Sequence, residues 1–109
     1  MFVQEIDAAR LQEMLGAGED LKLIDVRSAG EAARGMLPNA EFLPLHTLPA
    51  RISDIPRDKT VVFYCRSGAR SAQACAFLMA QGFDNVINLR GGVMDWARYG
   101  FPMVQPVMA

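Results

Sequence analysis

The sequence predicts an α/β domain in which a central, mostly parallel sheet of about five strands carries helices on both faces. The first observation behind this prediction is an alternation along the chain, because short apolar runs typical of buried strands follow segments with helical spacing. The second is that most connections between these segments are short, as in parallel sheets covered by helices. The third is size, since 109 residues, 51% of them apolar, suffice for one core. We therefore expect residues 1–109 to form a single domain.

The first half of the chain is predicted to contain two helices and two strands. Asp7 can serve as the N-cap of the first helix, in which Leu11 and Met14 recur at helical spacing. Ser28 can cap the second helix, and Gly35 can close it. The predicted elements are a helix over 8–15, a strand over 21–26, a short helix over 29–34 and a short strand over 40–43.

The second half of the chain continues the alternation. Pro49 interrupts a segment whose pattern is otherwise helical, and Gly82 is placed to close the helix that follows the central strand. Gly91 and Gly92 open the last helix, and Gly100 stops it. The predicted elements are a helix over 45–55, strands over 60–64 and 85–89, and helices over 72–81 and 93–99.

The strand over 60–64 leads directly into the run Cys65-Arg66-Ser67-Gly68-Ala69-Arg70-Ser71, and a helix follows. Backbone N–H groups converge where a strand turns into a helix, and the helix dipole favours negative charge there. Arg66 and Arg70 add two permanent positive charges close to the thiol of Cys65. Such surroundings should lower the pKa of Cys65 and keep it largely as the thiolate near neutral pH. The pattern therefore predicts a cysteine nucleophile that faces an anionic substrate.

The spacing within this run favours one kind of group transfer over another. Four residues lie between Cys65 and Arg70, so a ring of backbone amides at this point is small. A small ring fits one extra sulfur on the cysteine, or the end of a thiosulfonate, better than a tetrahedral phosphoryl group. The spacing therefore favours sulfur transfer, and it argues against a cysteine phosphatase or an arsenate reductase.

Charge and hydropathy argue against several classes of protein. A net charge of −1 gives no reason to expect a nucleic-acid partner or an anionic membrane surface. No apolar run reaches the ~18 residues of a membrane-spanning helix, and residues 1–7 lack the pattern of a secretory signal. Two cysteines do not make a disulfide framework of the secreted type. We therefore expect a cytoplasmic protein.

Three blocks of sequence, in this order, resemble the signatures of single-domain rhodaneses, the thiosulfate sulfurtransferase-like family. A lone Gly-Gly or Asp-Val-Arg would be weak evidence, whereas three blocks around a cysteine loop are specific. The resemblance covers almost the whole chain. The blocks are Asp25-Val26-Arg27 with Glu31, Gly35, Pro38 and Ala40; the strand and loop over 62–71; and residues 82–102 with Gly91-Gly92 and Trp96.

The resemblance implies a rhodanese-like fold and chemistry through a persulfide. In this family the cysteine, here Cys65, attacks the outer sulfur of thiosulfate, releases sulfite and carries the sulfur. Cyanide or a thiol then accepts that sulfur, and a protein thiol is a further candidate partner. No metal and no organic cofactor is implied. The loop amides would hold the persulfide and two arginines would hold the anion, the residues being Arg66, Ser67, Gly68, Ala69 and Arg70.

Residues near the loop are candidates for supporting roles. Asp25 and Arg27 end a strand at the same edge of the sheet as Cys65, where they could bond to the loop or pair with each other. The hydroxyls of Ser67 and Ser71 could contact a bound sulfur, although capping the helix is the simpler role.

Several other residues have a structural interpretation as well as a functional one. Cys75 fits a buried small residue better than a second thiol that resolves the persulfide, and the lone His46 gives no metal site. Met36 stands where the family commonly has histidine, which bears on the choice of acceptor. Met103 and Met108 in the apolar tail could cover a patch of the domain or meet a partner.

The sequence leaves two further functions open. In one, the domain is a sulfur carrier or binding module that receives a persulfide from a partner protein and uses free thiosulfate poorly. In the other, it is an inactive regulatory domain, against which the presence of Cys65, Arg66 and Arg70 argues.

Overall fold

A computed structural model describes residues 2–106 and has the predicted α/β architecture. A 3-10 helix over Leu45–Asp54 takes the place of the predicted helix around Pro49. The strands are β1 (Glu5–Ile6), β2 (Leu21–Asp25), β3 (Glu41–Phe42), β4 (Thr60–Tyr64) and β5 (Val86–Leu89). The α-helices are α1 (Ala8–Gly16), α2 (Ala29–Ala32), α3 (Ala69–Ala80) and α4 (Gly92–Arg98).

The five strands form one parallel sheet in the order β1-β5-β4-β2-β3. In the centre of the sheet, the register pairs Asp25 at the end of β2 with Tyr64 at the end of β4. The carboxyl ends of all five strands therefore lie along one edge. Ligands of open parallel sheets bind outside this edge, and Cys65 is the first residue beyond β4.

Two apolar layers cover the sheet, one on each face. Alternate side chains of β4 point to opposite faces, so Phe63 belongs to one layer and Tyr64 to the other. The layer with Phe63 also contains Leu78 of α3 and Leu48 of the 3-10 helix. The other layer contains Leu11 of α1 and Trp96 of α4. The prediction of helices on both faces is therefore confirmed.

Besides the 3-10 helix, two elements differ most from the sequence-based prediction, while α2 and β3 are only shorter than predicted. Strand β1 was not predicted, because it has only two residues and one of them is the exposed Glu5; it forms by pairing with β5. Helix α3 begins at Ala69 rather than at residue 72, with Gly68 in the left-handed conformation (φ 108°) as its N-cap. The second half of the cysteine run is therefore the first turn of α3.

The segment after α4 runs back along the loop between α2 and β3. Val104 pairs with Met36 in an antiparallel bridge, and Met103 lies beside Gly35. Met103 thus covers part of the domain, while Met108 lies outside the described residues. None of the helices within residues 2–106 combines the length and the apolar character needed to cross a membrane.

Candidate active site

The thiol of Cys65 is buried within the loop between β4 and α3. The residue is only 1% exposed, and the backbone N–H of Gly68 donates to Sγ at 3.1 Å. The backbone N–H groups of Ser67 and Ser71 also donate to the sulfur. The sulfur is therefore surrounded by hydrogen-bond donors.

Helix α4 holds the loop from the opposite side. The N–H of Val93 donates to the carbonyl oxygen of Cys65 at 3.0 Å, and the N–H of Met94 donates to that of Arg66 at 3.1 Å. These bonds turn the two carbonyls toward α4. Gly92 makes the contact possible, because a Cβ there would lie 2.5 Å from the carbonyl oxygens of both Cys65 and Arg66.

The environment of Cys65 acts on its pKa in two opposite directions. Burial of the thiol raises the pKa, because it disfavours the charged thiolate. Hydrogen bonds to the sulfur from the Ser71 hydroxyl and from the amides of Ser71, Gly68 and Ser67 lower the pKa. The net effect lowers the pKa of Cys65 below its ordinary value, so the thiolate forms more readily than in a free cysteine.

Ser71 and Asn88 form a buried polar network under the sulfur. The Ser71 hydroxyl lies 2.5 Å from Asn88 Oδ1 and 3.4 Å from Cys65 Sγ. Asn88 Nδ2 donates to the Gly68 carbonyl at 3.2 Å and to Glu5 Oε2 at 2.8 Å, so both acceptors fix the orientation of the amide. The interpretation of Ser67 or Ser71 as the cap of α3 is wrong, since Gly68 is the N-cap and no side chain caps this helix.

Asn88 was missed in the sequence, although a signal for it exists. Asparagine is depleted in strands, yet here it stands inside the apolar run of β5 and is 1% exposed. A buried polar side chain in a strand needs hydrogen-bond partners, and Asn88 finds them in the cysteine loop and in β1.

The two arginines of the loop have different surroundings. Arg70 makes a double hydrogen bond to Glu31 of α2, with distances of 2.7 and 2.8 Å. This pair lowers the pKa of Glu31 to about 2, mainly through the hydrogen bond from Arg70, so the carboxylate stays charged. The side chain of Arg66 is exposed, and it forms no salt bridge with any residue in the described range 2–106.

Asp25 and Arg27 form a buried ion pair beside the loop. Arg27 Nη2 donates to Asp25 Oδ2 at 2.7 Å and to the carbonyl oxygen of Gly35 at 2.6 Å. The two predicted supporting residues therefore pair with each other, and Arg27 also holds the turn at Gly35. Arg27 is 5% exposed, and it lines two clefts at this edge of the sheet.

Within residues 2–106, the remaining candidate residues, Cys75 and His46, show no sign of a catalytic or metal-binding role. Cys75 is fully buried in the apolar layer, and burial raises its pKa to about 12, which suits a packing residue rather than a resolving thiol. His46 is exposed on the 3-10 helix. In the described part of the chain, no three histidine, cysteine, aspartate or glutamate side chains are grouped as metal ligands.

Two clefts open near the cysteine loop. One, of about 410 Å³, lies between Arg70 and the 3-10 helix and includes Phe42, Leu45 and His46 in its wall. The other, of about 270 Å³, lies between α2 and α4 and has Arg66 and Met94 in its wall. Arg27 belongs to both walls, so the clefts adjoin at the edge of the sheet.

This architecture and the cysteine loop agree with what a search for similar proteins finds. The family model for the rhodanese-like domain matches residues 7–99. The chain belongs to the rhodanese-like domain family. This rhodanese-like domain is 55% identical over 105 residues to a protein named sulfurtransferase from Allochromatium vinosum, with 96% of this chain and 98% of the relative covered.

A solved structure agrees with this family membership, and a more distant relative is named as a sulfur carrier. A rhodanese-related protein from Thermoplasma volcanium superposes with a TM-score of 0.86 and 32% identity, covering 94% of this chain and 99% of that one. "Putative sulfur carrier protein YrkF" from Bacillus subtilis is 29% identical over 94 residues, covering 86% of this chain and 51% of the relative.

Proposed function

We propose that this rhodanese-like domain is a sulfurtransferase that moves a sulfane sulfur from thiosulfate to cyanide or a thiol through a persulfide on Cys65. One observation carries this proposal. The Sγ of Cys65 accepts hydrogen bonds from several N–H groups and from the Ser71 hydroxyl, and these donors lower its pKa. A nucleophile in such a site is prepared to form and to hold an anion.

In the first half-reaction the Cys65 thiolate attacks the outer sulfur of thiosulfate. A new S–S bond forms between Sγ and that sulfur, and the bond between the two sulfurs of thiosulfate breaks. Sulfite leaves with the electron pair, and the cysteine persulfide keeps one negative charge. The terminal sulfur then takes the place of the thiolate among the amides at the start of α3.

In the second half-reaction an acceptor takes the terminal sulfur. Cyanide or a thiolate attacks it, the S–S bond breaks, and the Cys65 thiolate leaves with the electron pair. The product is thiocyanate or a new persulfide, so Cys65 is ready for another cycle. The two products leave separately, as expected for covalent catalysis.

The loop residues have separate roles in this proposal. The backbone of Ser67, Gly68 and Ser71 supplies N–H groups to the sulfur, and that of Ala69 begins α3 beside them. The exposed Arg66 attracts the anionic donor and balances the charge of departing sulfite. Arg70 adds positive charge near the sulfur, but Glu31 holds its guanidinium at the mouth of the loop.

Intact mass spectrometry tests this proposal directly. We expect brief incubation with thiosulfate to add the mass of one sulfur atom, and cyanide to remove it. Cys65→Ala should gain no mass and lose all sulfur transfer, with a change in stability near that of a small core truncation. Thiosulfate consumption by Cys65→Ala at the wild-type rate would rule out the persulfide mechanism.

A sulfur carrier is the second candidate function, and the name of the Bacillus subtilis relative favours it. A carrier would receive its sulfur from a protein persulfide, and free thiosulfate would load it poorly. Loading rates with thiosulfate and with a persulfidated protein donor separate the two functions. The cytoplasm stays the predicted location, because Cys65 must remain a free thiol in either role.

A further inference from the structure

The cleft between α2 and α4 has two chemically different walls. One wall contains Arg34, which follows α2, and Arg66 of the cysteine loop. The other wall is apolar and consists of Val93, Met94 and Ala97 of α4. Met94 is 43% exposed, so its side chain is accessible to a ligand in this cleft.

The charge of this cleft is positive once its ion pairs are considered. Arg27 is neutralised by Asp25, and Glu31 is neutralised by Arg70. Arg34 and Arg66 are both exposed. Neither forms a salt bridge with another residue between positions 2 and 106. Two positive charges therefore remain in the cleft to attract an anionic ligand.

The backbone holds Arg34 in place while its side chain stays exposed. Its N–H donates to the Glu31 carbonyl at 3.1 Å, and its carbonyl accepts from Gln105 Nε2 at 3.4 Å. The next carbonyl, that of Gly35, accepts from the buried Arg27. The guanidinium of Arg34 is therefore presented from a fixed point opposite α4.

Thiosulfate is attracted by Arg66 but does not account for the rest of this cleft. It is a small inorganic ion that needs to reach Sγ, whereas the cleft has a volume of about 270 Å³ and an apolar wall. A ligand that uses both walls has an anionic group for the arginines and an aliphatic part for Val93 and Met94. Ligand sites of this kind combine apolar surface with a few placed polar groups.

We propose that this cleft binds the acceptor, and that the acceptor is a small organic thiol carrying one or more carboxylates. This inference rests on the proposed function and specifies its second substrate. The carboxylates pair with Arg34 and Arg66, which line the cleft. Arg66 directly follows Cys65, so an acceptor held there brings its thiolate to the terminal sulfur. The thiolate forms an S–S bond with that sulfur, the bond to Sγ breaks, and Cys65 recovers the electron pair. The product is the persulfide of the acceptor.

The test measures single-turnover removal of sulfur with two acceptors, mercaptosuccinate and the neutral 1-thioglycerol. The wild-type protein is first loaded with a polysulfide, so the persulfide is available even if thiosulfate is a poor donor. Loss of the added sulfur is then followed by intact mass at subsaturating thiol. At low ionic strength, the rate of sulfur removal by mercaptosuccinate is divided by the rate of sulfur removal by 1-thioglycerol to give a rate ratio.

We expect Arg34→Gln to lower this ratio about 3- to 5-fold, in line with the strength of an exposed ion pair. Comparing one ratio between variants cancels the difference in intrinsic reactivity of the two thiols. Arg98→Gln is the matched control, because Arg98 is an exposed arginine of α4 that pairs with Asp95 outside this cleft. Its ratio should equal that of the wild type, and added salt should reduce the wild-type ratio.

Two results would overturn the inference while leaving the proposed function intact. An unchanged ratio in Arg34→Gln would mean that the cleft does not recognise the acceptor. If Arg34→Gln slowed thiosulfate loading by the same factor, Arg34 would serve the donor rather than the acceptor. By contrast, failure of thiosulfate to load wild-type Cys65 counts against the proposed donor and leaves the polysulfide-loaded measurement valid.

Discussion

Ser71 can donate its single hydroxyl proton to only one acceptor at a time. In the structure the hydroxyl is close to Asn88 Oδ1 and more distant from Cys65 Sγ. A thiolate or persulfide anion attracts the proton more strongly than a neutral thiol does, so the hydroxyl can turn toward the sulfur as charge develops. Ser71 is thus a positioning residue that stabilises the anion without reacting itself.

Replacing Ser71 should move the titration of Cys65. We expect Ser71→Ala to raise the pKa of Cys65, because the hydroxyl is the strongest of the interactions that lower it. The pH profile of alkylation by iodoacetamide should shift to higher pH, with a several-fold slower rate below its midpoint and an unchanged plateau. Loss of the partner of buried Asn88 should also lower stability by about 1–3 kcal/mol.

Ser67→Ala is the control for this experiment. Ser67 contributes a backbone amide to the sulfur, and alanine keeps that amide. Its alkylation profile should therefore coincide with that of the wild type. A wild-type profile in Ser71→Ala would mean that the amides alone set the pKa of Cys65.

For individual residues, the sequence identifies the reacting thiol better than the side chains that support it. Cys65 could be selected because a thiol, two arginines and a strand-to-helix junction occur together. The partners of Ser71 and Arg70 could not be assigned, because both Asn88 and Glu31 come from distant parts of the chain. Such contacts depend on the tertiary packing of the sheet, which residue spacing does not encode.

Among the helices and strands, α4 is the one whose backbone fixes the shape of the cysteine loop. Its first N–H groups hold the carbonyls of Cys65 and Arg66, and Gly92 lies against both. Gly92 has a φ of +55°, a conformation that favours glycine. Both the close contact and the backbone conformation therefore exclude a larger residue.

We expect Gly92→Ala to impair persulfide formation through the position of the loop. The added Cβ would lie 2.5 Å from two carbonyl oxygens, so the loop or the start of α4 must move. A displacement of this kind should slow loading by about 100-fold and reduce stability by about 2 kcal/mol. Loading is measured by intact mass, and urea unfolding verifies that the variant is folded.

Gly16→Ala is the matched control for the glycine substitution. Gly16 is the last residue of α1, and a Cβ there meets no atom within 4 Å. Its loading rate should stay at the wild-type value, with a small gain in stability. Normal loading in Gly92→Ala would show that the loop tolerates movement of α4.

The elements themselves were largely predictable, and the exceptions have physical causes. Strand β4 was found at its observed bounds, because five apolar or β-branched residues precede the loop. Strand β1 was missed because its pairing with β5, not its own pattern, makes it a strand. The early start of α3 depends on the left-handed Gly68, which lets the helix begin directly after a tight turn.

At the scale of the whole molecule, the pair between Glu31 and Arg70 joins two distant parts of the chain. It connects α2, which follows β2, to α3, which follows β4. The carboxylate also completes the capping box of α2 with Ser28, so it anchors both helices near the cysteine loop. The Glu31 side chain is 27% exposed, so solvent screens only part of its interaction with Arg70.

The pH dependence of stability should report this contact. The pKa of Glu31 is lowered from 4.5 to about 2, so its contribution is complete above about pH 4.5 and disappears as the pH falls toward 2. We expect Glu31→Gln, which keeps the capping geometry, to be less stable than the wild type by about 1 kcal/mol at pH 7 after allowance for screening. The difference should shrink steadily between pH 4.5 and 2.

Urea unfolding at several pH values between 2 and 7 measures this difference. Glu13→Gln is the control, because Glu13 pairs with Arg10 at 3.5 Å on a surface where the two side chains are 70% and 56% exposed. That control should follow the wild-type curve at every pH, since surface pairs contribute little. A constant difference between Glu31→Gln and the wild type from pH 7 to 2 would mean that the ion pair does not join α2 to α3 energetically.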